Sequence, residues 1–441
     1  MKKLLISLLL VIGFVSMANA QWVSPGNGLT YSMDDLVSEG AAVHGGGTQY
    51  LILQDITISE GDIWLIEDNN EVSIALKNSF ITIQGTMRTG GRVVFDGDNA
   101  SKMRFENASR CNFDNTTFRY LSGMNIVESQ IAFTSCAFVM FDTGYTSSAV
   151  SIYNCDPEFS MCEFTNNEGS AIGSAANGQS SPQIVFCDFS GNNTANTNNP
   201  QINLGPGSDD KAILINGCNI TGDGHDMVGG ISISDVLQVG STTAVISSNV
   251  VSGNRYGYNQ QGYSIASNIT NNYFVDNNIE TNPMNGGSGV SIYGMSENCT
   301  ARMRNNVITG NLWGVTAINV FSIDLGTELD WGHNSIRKNR NGENEYDLYN
   351  NSACDIMAIG NYWGTSDIAV VEELIYHQND DPSLGLVSYD PIWESDGIEE
   401  PEYEQVEDNR IYTLEGRYLG TELPEGFKGV YIRNGKKYFR L

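Results

Sequence analysis

The feature that most constrains this chain is a short pattern that recurs along most of its length. The pattern is Cys or Asn, then any residue, then an aromatic or aliphatic residue, and neighbouring copies start 23 to 34 residues apart. The copies begin at Asn78, Cys111, Cys136, Cys162, Cys187, Cys218, Asn249, Asn272, Asn306, Asn334 and Asn361. A period of this length with variable loops is typical of a repeat architecture, in which each unit packs only on its neighbours.

The residues around the pattern explain the repeat. Counted from the Cys or Asn as position 0, apolar residues occupy position +2 and also position −3, three residues before it. Position −3 is held by Phe133, Phe159, Ile184, Ile215, Ile246, Ile269, Met303 and Trp331. Strand side chains alternate with period 2, so the two residues between −3 and 0 break the alternation as a tight corner would. Position +1 should then point outward, as at Ser335. The pattern predicts an all-β fold, a right-handed parallel β-helix of about 12 coils.

Three segments make the repeat resemble a known group of proteins. They are residues 305–314 (NNVITGNLWG), 248–257 (SNVVSGNRYG) and 360–364 (GNYWG), which resemble the parallel β-helix repeats of the pectate-lyase-like superfamily. The corner asparagines look like the asparagine ladder of that superfamily. The resemblance covers roughly residues 50–393 and implies the fold, but it does not imply an activity.

The predicted ladder contains both cysteines and asparagines. Its members are Cys111, Cys136, Cys162, Cys187, Cys218, Asn249, Asn272, Asn306, Asn334 and Asn361. Regular placement favours stacked, buried thiols that act as small apolar side chains, although bridging of some pairs stays open at this stage. The cysteines do not form CxxC pairs and do not cluster with histidines, so a metal site is not expected.

Both ends of the chain carry export signals. Residues 1–20 have two lysines, a short apolar run and the small-residue pattern Ala18-Asn19-Ala20, as in a cleavable signal peptide. Residues 21–50 are predicted to form an N-terminal cap, with Ser32 as helix N-cap and Asp35 three residues later. The β-helix is expected over residues 51–393, and no segment of the chain is predicted to span a membrane.

The C-terminal region differs in composition from the rest. Residues 394–408 hold eight acids and no base and are predicted to be a linker, whereas residues 427–441 hold five bases and no acid. Residues 409–441 alternate apolar and polar residues, with a hairpin turn expected at Asn434-Gly435. This segment resembles the C-terminal sorting domain of the type IX secretion system. The resemblance implies that the secretion machinery is a partner and that the protein reaches the outer cell surface or the medium.

Charge limits the partners further. Cleavage after residue 20 would leave 21 basic and 52 acidic residues, a net charge of −31. Such a surface repels nucleic acid and anionic lipid, and an acidic polysaccharide would need a bridging cation.

Two classes of function stay open from the sequence. Asp209 and Asp210, beside Lys211, and the later group Asp223, His225 and Asp226 could hydrolyse or eliminate at a sugar linkage, or could bind Ca²⁺. The set lacks a complete hydrolase or lyase pattern, so a binding or structural rod is favoured over an enzyme. A cleft in which three acids converge beside a base would reverse that preference. A carbohydrate ligand could stack on the aromatic residues Tyr256, Tyr273, Trp313 and Tyr362.

Overall fold

A computed structural model shows the path of the chain. It describes residues 21–144, 147–397, 411–412, 418–420, 422–424, 429–433 and 436–440. The predicted signal peptide, most of the acidic linker and the turn at Asn434-Gly435 lie outside the described residues. From residue 21 the chain visits three parallel sheets in turn, here called sheets 1, 2 and 3, and each circuit makes one coil. The right-handed parallel β-helix is confirmed.

Sheets 1 and 2 contain 14 strands each, so the stack is about two coils longer than expected. Sheet 3 contains 13, of which Ala42–Gly46 and Gln49–Ile52 are an antiparallel pair within the first coil. Sheet 1 consists of Gln21–Val23, Asp55–Ile58, Phe80–Ile83, Lys102–Glu106, Met124–Val127, Ser148–Tyr153, Ser170–Ser174, Ile202–Leu204, Ile231–Asp235, Tyr258–Gly262, Ser288–Gly294, Trp313–Ile318, Leu348–Asn351 and Ile375–Tyr376. Sheet 2 consists of Thr30–Tyr31, Ile63–Glu67, Thr86–Gly90, Cys111–Asp114, Ile131–Thr134, Glu158–Ser160, Gln183–Val185, Ile213–Asn216, Thr242–Ser247, Ile265–Thr270, Thr300–Arg304, Ser322–Asp324, Ile356–Met357 and Val387–Ser388. Sheet 3 consists of Ala42–Gly46, Gln49–Ile52, Val72–Ala75, Val93–Asp96, Thr116–Arg119, Ala137–Val139, Glu163–Thr165, Asp188–Ser190, Asn219–Thr221, Val250–Ser252, Tyr273–Val275, Val307–Thr309 and Ser335–Arg337.

The N-terminal helix runs over Met33–Ser38, where the sequence predicts it. The Ser32 side chain accepts from the Asp35 backbone, and the Asp35 carboxylate accepts from the Ser32 backbone, which is a complete capping box. Met33 and Leu36 are buried in the core. The strands Gln21–Val23 and Thr30–Tyr31 already belong to sheets 1 and 2. The helix therefore lies within the first coil.

The corner between sheets 2 and 3 is turned by one residue in the left-handed conformation. Ser135 (φ 51°), Met161 (φ 53°) and Gly217 (φ 67°) are examples, and each directly precedes a ladder position. One left-handed residue reverses the alternation of the strand, so the next side chain again points inward. Aromatic rings at position +2 stack below this corner, with centroids 4.6 Å apart for Phe138 and Phe164.

The strand register corrects the predicted ladder at its N-terminal end. Cys111 lies within a strand of sheet 2 and pairs with Ile131, so it holds position −5, four residues before the left-handed corner residue Asn115, and is not on the ladder. Thr116 holds position 0 in that coil, since Thr117 pairs with Ala137, which follows Cys136. Asn78 is an exposed turn residue that precedes a strand of sheet 1, so it also lies outside the ladder.

Two further sequence assignments near the C-terminal end are wrong. Trp331 lies in an inserted loop, and buried Leu325 holds position −3 of that coil, because the Asn361 amide donates to the Leu325 carbonyl. Ser335 does lie at position +1, but it is only 2% exposed. Its hydroxyl donates to Asp396 at 2.6 Å, since the chain after the last coil crosses over this strand.

The asparagines from Asn249 to Asn361 form a continuous hydrogen-bonded ladder. The amide oxygen of Asn306 accepts from the backbone and the side chain of Asn272, both at 3.0 Å. The amide nitrogen of Asn306 donates to Asn334 Oδ1 and to the Ile269 carbonyl, both at 2.8 Å. Each asparagine thus joins three successive coils, and no water is needed at the buried corner.

The ladder cysteines make the same contacts with sulfur. Cys187 Sγ accepts from the Cys162 backbone at 3.4 Å and donates to the Phe159 carbonyl at 3.5 Å. The ladder changes from cysteines to asparagines between Cys218 and Asn249, where the Cys218 backbone N–H donates to Asn249 Oδ1. All eight cysteines are free in the structure. Hydrogen bonds with neighbouring thiols and burial raise the pKa of Cys162, and burial raises the pKa of Cys111 to about 11.

A second ladder lies at the corner between sheets 3 and 1, and the sequence reasoning missed it. Its members are Asn167, Asn192, Gln201, Asn254, Asn277, Asn311, Asn339 and Asp347, joined in that order by side-chain hydrogen bonds. Most of them lie five residues after a position of the first ladder, and this fixed offset was visible in the sequence. In the coil of Cys218, position +5 is Asp223, which is exposed. Gln201 occupies the corresponding place in the second ladder.

The second ladder ends on a buried acid. Asp347 Oδ1 accepts from the Asn339 backbone and side chain, whereas Oδ2 has no hydrogen-bond partner among the described residues. Burial raises the pKa of Asp347 well above its ordinary value. Burial thus opposes ionisation of the acid in the folded protein, whereas the unfolded chain ionises it near pH 4, and this difference destabilises the fold as pH rises above about 4.

We expect Asp347→Asn to be more stable than the wild type at pH 7, because the amide removes this ionisation from the unfolded state. The melting temperature should rise by about 2 °C or more at pH 7, and the gain should shrink as pH falls toward 4. Thermal melts at a series of pH values measure both. A gain that is constant with pH would show that ionisation of Asp347 is not the cause.

The C-terminal end of the β-helix and the tail complete the chain. A second helix covers Ile368–Glu373, with Asp367 as N-cap, and Arg340–Asn341 pairs with Asn344–Glu345 in a two-stranded sheet. The chain divides into two compact units, Met1–Asp396 and Gly397–Leu441. The second unit contains an antiparallel sheet of Tyr418–Gly420, Ile411–Tyr412, Gly429–Arg433 and Lys436–Arg440, in that order. Among the described residues, neither helix is long and apolar enough to cross a membrane.

Candidate functional site

The outer face of sheet 1 carries a row of polar and aromatic side chains, interrupted only at Gly173. Strand pairing places one residue of each coil in this row, at the spacing between adjacent strands, about 4.8 Å. The row is Arg104, Asn125, Ser151, Gly173, Asn203, Ser232, Asn259, Ser291, Thr316, Tyr349 and Tyr376. A ligand that lies along the row would meet amide, hydroxyl and aromatic groups in turn.

Two cavities lie along this face, and both are lined by Asn203. One has a volume of about 410 Å³ and runs from Arg104 to Asn203. The other has a volume of about 520 Å³ and runs from Asn203 to Tyr349. They form one groove, here called the sheet-1 groove, which crosses ten coils and is about 40 Å long. Turns between sheets 3 and 1 form one wall, and a groove of this length fits an extended chain better than a small molecule.

Gly173 keeps the floor low where the two cavities join. A Cβ atom at this position would lie 2.2 Å from Ser148 Oγ, so a larger residue would force the floor to move. Such a close approach is one of the few situations in which a strand interior favours glycine.

Aromatic side chains gather at the C-terminal end of the groove. The ring centroid of Trp313 is 5.0 Å from those of both Tyr346 and Tyr349, and the Trp313 indole nitrogen donates to the Pro283 carbonyl at 3.0 Å. Tyr349 also stacks on Tyr376, with centroids 4.7 Å apart. These contacts fix the rings in place before any ligand binds.

Tyr256 forms part of the wall near Trp313. Its ring rests on Gly229, where a Cβ atom would lie 2.1 Å from the ring. Burial raises the pKa of the Tyr256 hydroxyl to about 12, so it is a neutral hydrogen-bonding group at physiological pH. Tyr256 and Trp313, both expected to contact sugars, thus line the same groove.

The other two aromatic candidates lie elsewhere. Tyr273 is 47% exposed on the outer face of sheet 3, between Val250 and Val307 in register. Tyr362 follows the last ladder asparagine and bridges Ser335 of sheet 3. Sequence reasoning missed Tyr346 and Tyr349, because an insertion after Ser335–Arg337 hides the register of that coil.

The acidic candidates from the sequence lie at two different corners. Asp209, Asp210 and Lys211 lie in the turn from sheet 1 to sheet 2, whereas Asp223, His225 and Asp226 lie in the turn from sheet 3 to sheet 1. The acids of the two turns are therefore not brought together.

Each bonded acid of the two turns has a local role. Asp209 accepts from the Ser241 backbone at 2.9 Å, which lowers its pKa, and Asp226 accepts from the Asn196 amide at 2.8 Å. The His225 ring bonds to Asp223. Within the described ranges, no group of three or more His, Cys, Asp or Glu residues could hold a metal ion.

A separate cavity lies at the corner between sheets 1 and 2, here called the corner cavity. Its volume is about 590 Å³, and its lining includes three acids and two bases. They are Glu128, Asp156, Glu158, Arg110 and Lys211. Asp156 Oδ1 accepts from the Ser181 backbone at 2.6 Å and from the Ser208 hydroxyl at 2.7 Å, so that oxygen is committed to holding the turn.

Known proteins resemble this chain only distantly. A family described as a protein of unknown function, DUF1565, matches residues 155–367, and no curated protein matches the chain. The chain is 12% identical to the periplasmic alginate epimerase AlgG, with 83% of this chain and 81% of that chain covered and a TM-score of 0.49.

Two more solved structures are similar at the same low level. Tailspike protein 3 of bacteriophage CBA120 is 12% identical over 82% of this chain and 59% of its own, with a TM-score of 0.42. A PL6 family polysaccharide lyase from Pseudopedobacter saltans is 10% identical over 84% of this chain and 94% of its own, with a TM-score of 0.27. These likenesses concern the fold alone.

Proposed function

We propose that this protein is an exported polysaccharide-binding protein that holds a sugar chain along the sheet-1 groove. The observation that carries the proposal is the row of outward residues on sheet 1, which runs through eleven coils and ends at fixed aromatic rings. Hexose rings present apolar faces that stack on aromatic side chains, and their hydroxyl groups bond to amides and hydroxyls. The groove offers both kinds of contact along one line.

The chemistry of the groove favours binding over hydrolysis. Hydrolysis of a glycosidic bond needs two carboxyl groups on either side of it. None of the described residues that line the two cavities of the groove is an acid, although the whole chain contains 52. A chain bound in this groove would not meet the groups that cleave it.

The second candidate function is a glycoside hydrolase or polysaccharide lyase that acts at the corner cavity. Glu128 and Glu158 are exposed there, beside Lys211, so acids and a base line one cleft. The wild type would then release reducing ends or unsaturated products from a polysaccharide, and Glu158→Gln would not. Product assays on the same polysaccharide panel used for binding separate the two functions.

Replacing Trp313 by alanine should weaken polysaccharide binding about tenfold. The change removes the ring that joins Tyr346 and Tyr349, and the loss of a buried aromatic contact costs about 1–2 kcal/mol. Affinity electrophoresis in gels that contain one polysaccharide each, neutral or acidic, measures the retardation of the full chain.

Tyr273→Ala is the matched control, because it removes an exposed aromatic ring outside the groove. Its retardation should equal that of the wild type. Equal weakening by both variants, or no retardation of the wild type by any polysaccharide, would contradict binding in the sheet-1 groove.

The destination of the protein belongs to the same proposal. Support comes from the signal-like residues 1–20 and from the separate, basic-ended C-terminal unit, which resembles a type IX sorting domain. We infer export to the outer surface or the medium, where polysaccharides of the cell envelope or the surroundings are accessible.

A further inference from the structure

Arg255 is a buried cation in the wall of the sheet-1 groove, and its hydrogen bonds all go to neutral oxygen atoms. The residue is 9% exposed. Its Nε donates to the Asn285 carbonyl at 2.8 Å, one terminal nitrogen donates to the same carbonyl, and the other donates to Asn198 Oδ1. Among the described residues, no carboxylate lies within ion-pair distance of it.

The two other arginines that are buried among the described residues are paired. Arg304 contacts Asp324 and Asp330, each at 2.7 Å, and Arg337 contacts Asp396 at 3.3 Å. A buried charge is costly unless an opposite charge compensates it, so proteins nearly always supply one. Arg255 departs from that rule in a protein whose net charge is −29, where acids are abundant.

The surroundings of Arg255 show where a compensating charge would come from. Its side chain lines the 520 Å³ cavity together with Asn198, Asn285 and Trp313. Asn198 and Asn285 belong to two turns of the wall, so the guanidinium is held in position by both. A guanidinium has five N–H donors, and the contacts to Asn285 and Asn198 leave donors free for a ligand in the cavity.

The other arginine of the groove behaves differently. Arg104 bonds to Glu106 at 2.9 Å, so its charge is already compensated by the protein. An anionic group of a ligand should therefore gain more binding free energy at Arg255 than elsewhere in the groove. A carboxylate or a sulfate suits this position, because both accept hydrogen bonds well from a guanidinium.

We propose that the sheet-1 groove is specific for a polysaccharide with anionic sugars and that Arg255 receives the carboxylate or sulfate of one sugar beside Trp313. The inference rests on the proposed polysaccharide binding and adds the class of ligand to it. It also replaces the expectation that an acidic polysaccharide would need a bridging cation, since the groove supplies the cation itself.

The test uses pairs of polysaccharides that differ in charge alone. Polygalacturonate, alginate and hyaluronan are each compared with their carboxyl-reduced, neutral forms, and a sulfated galactan with its desulfated form, by affinity electrophoresis of the full chain without divalent cations. We expect at least one charged form to bind at least tenfold more tightly than its neutral partner, and this advantage to fall as salt is added.

Arg255→Gln should remove this advantage, measured as the ratio of charged to neutral affinity within each pair, and Arg255→Lys should retain part of it. Arg88→Gln is the matched control, since it removes an arginine on the outer face of sheet 2 and should change neither affinity. Melting temperatures establish that the variants fold. If Arg255→Gln does not fold, Arg255→Lys serves as the test, and it should show a smaller preference for the charged form than the wild type.

Each outcome separates the two proposals. Equal binding of every charged and neutral pair would overturn the role of Arg255 and leave polysaccharide binding standing. A charge advantage that survives in the Arg255 variants would overturn it as well. No binding of any polymer would overturn the proposed function itself.

Discussion

Replacing Asn306 by leucine is expected to destabilise the β-helix by about 3 kcal/mol, the upper end for leaving a buried hydrogen-bonding group unsatisfied. Leucine fits a buried position but cannot accept from Asn272 or donate to the Ile269 carbonyl and Asn334. The corner is fully buried, so water cannot replace these bonds. The melting temperature should fall, and hydrogen exchange at the Asn272 backbone amide should become faster.

Asn268→Leu provides the matched control, because it makes the same change at an exposed position of sheet 2 in the neighbouring coil. Its effect should stay within about 0.5 kcal/mol. Melting temperatures should be compared side by side, since stacked coils need not unfold in two states. Equal shifts for the two variants would refute the ladder as a source of stability.

Deleting residues 409–441 is expected to abolish delivery to the outer surface and the medium, and to leave the body folded in the periplasm. The body, Met1–Asp396, forms a compact unit of its own, so its core does not depend on the tail. Cell fractionation and protease accessibility in the native host should show at least a tenfold loss of surface or medium protein, with an unchanged melting temperature of the purified body.

The reciprocal experiment is the control for this deletion. Residues 397–441 fused to an unrelated periplasmic reporter should carry it to the surface or the medium. If the truncated protein is still delivered, or if the fused reporter stays in the periplasm, the tail is not a sorting signal and is an ordinary small β-module.

The ladder shows how far local sequence signals extend. From Cys136 onward the predicted ladder positions agree with the structure, because each coil repeats a left-handed corner residue, a small inward residue and an apolar one at position +2. Before that point the signal misleads. Cys111 is followed at +2 by Phe113, as at a corner, yet its coil turns at Asn115 and places Thr116 on the ladder.

The candidate site was less predictable than the fold. Tyr256 and Trp313 were recognisable as turn aromatics, but their meeting in one groove depends on the lengths of turns from different coils. The relevance of Tyr346 and Arg255 to the groove depends on residues far away in sequence. Tyr346 packs beside Trp313, and Arg255 bonds to Asn198 and Asn285.

The sequence by itself determined the architecture of this protein, because stacked coils repeat the same local interactions at each turn, and a local pattern then specifies the whole stack. It also determined the helix at Met33–Ser38, since both halves of its capping box lie within four residues. Only the tertiary structure decided which outward side chains share a face, because turn lengths vary from coil to coil and set the walls of the groove. It likewise decided which buried charges are paired, because a carboxylate compensates a charge only when the two lie close in space. Arg304 contacts the Asp324 carboxylate, whereas Arg255 bonds to the neutral carbonyl of Asn285.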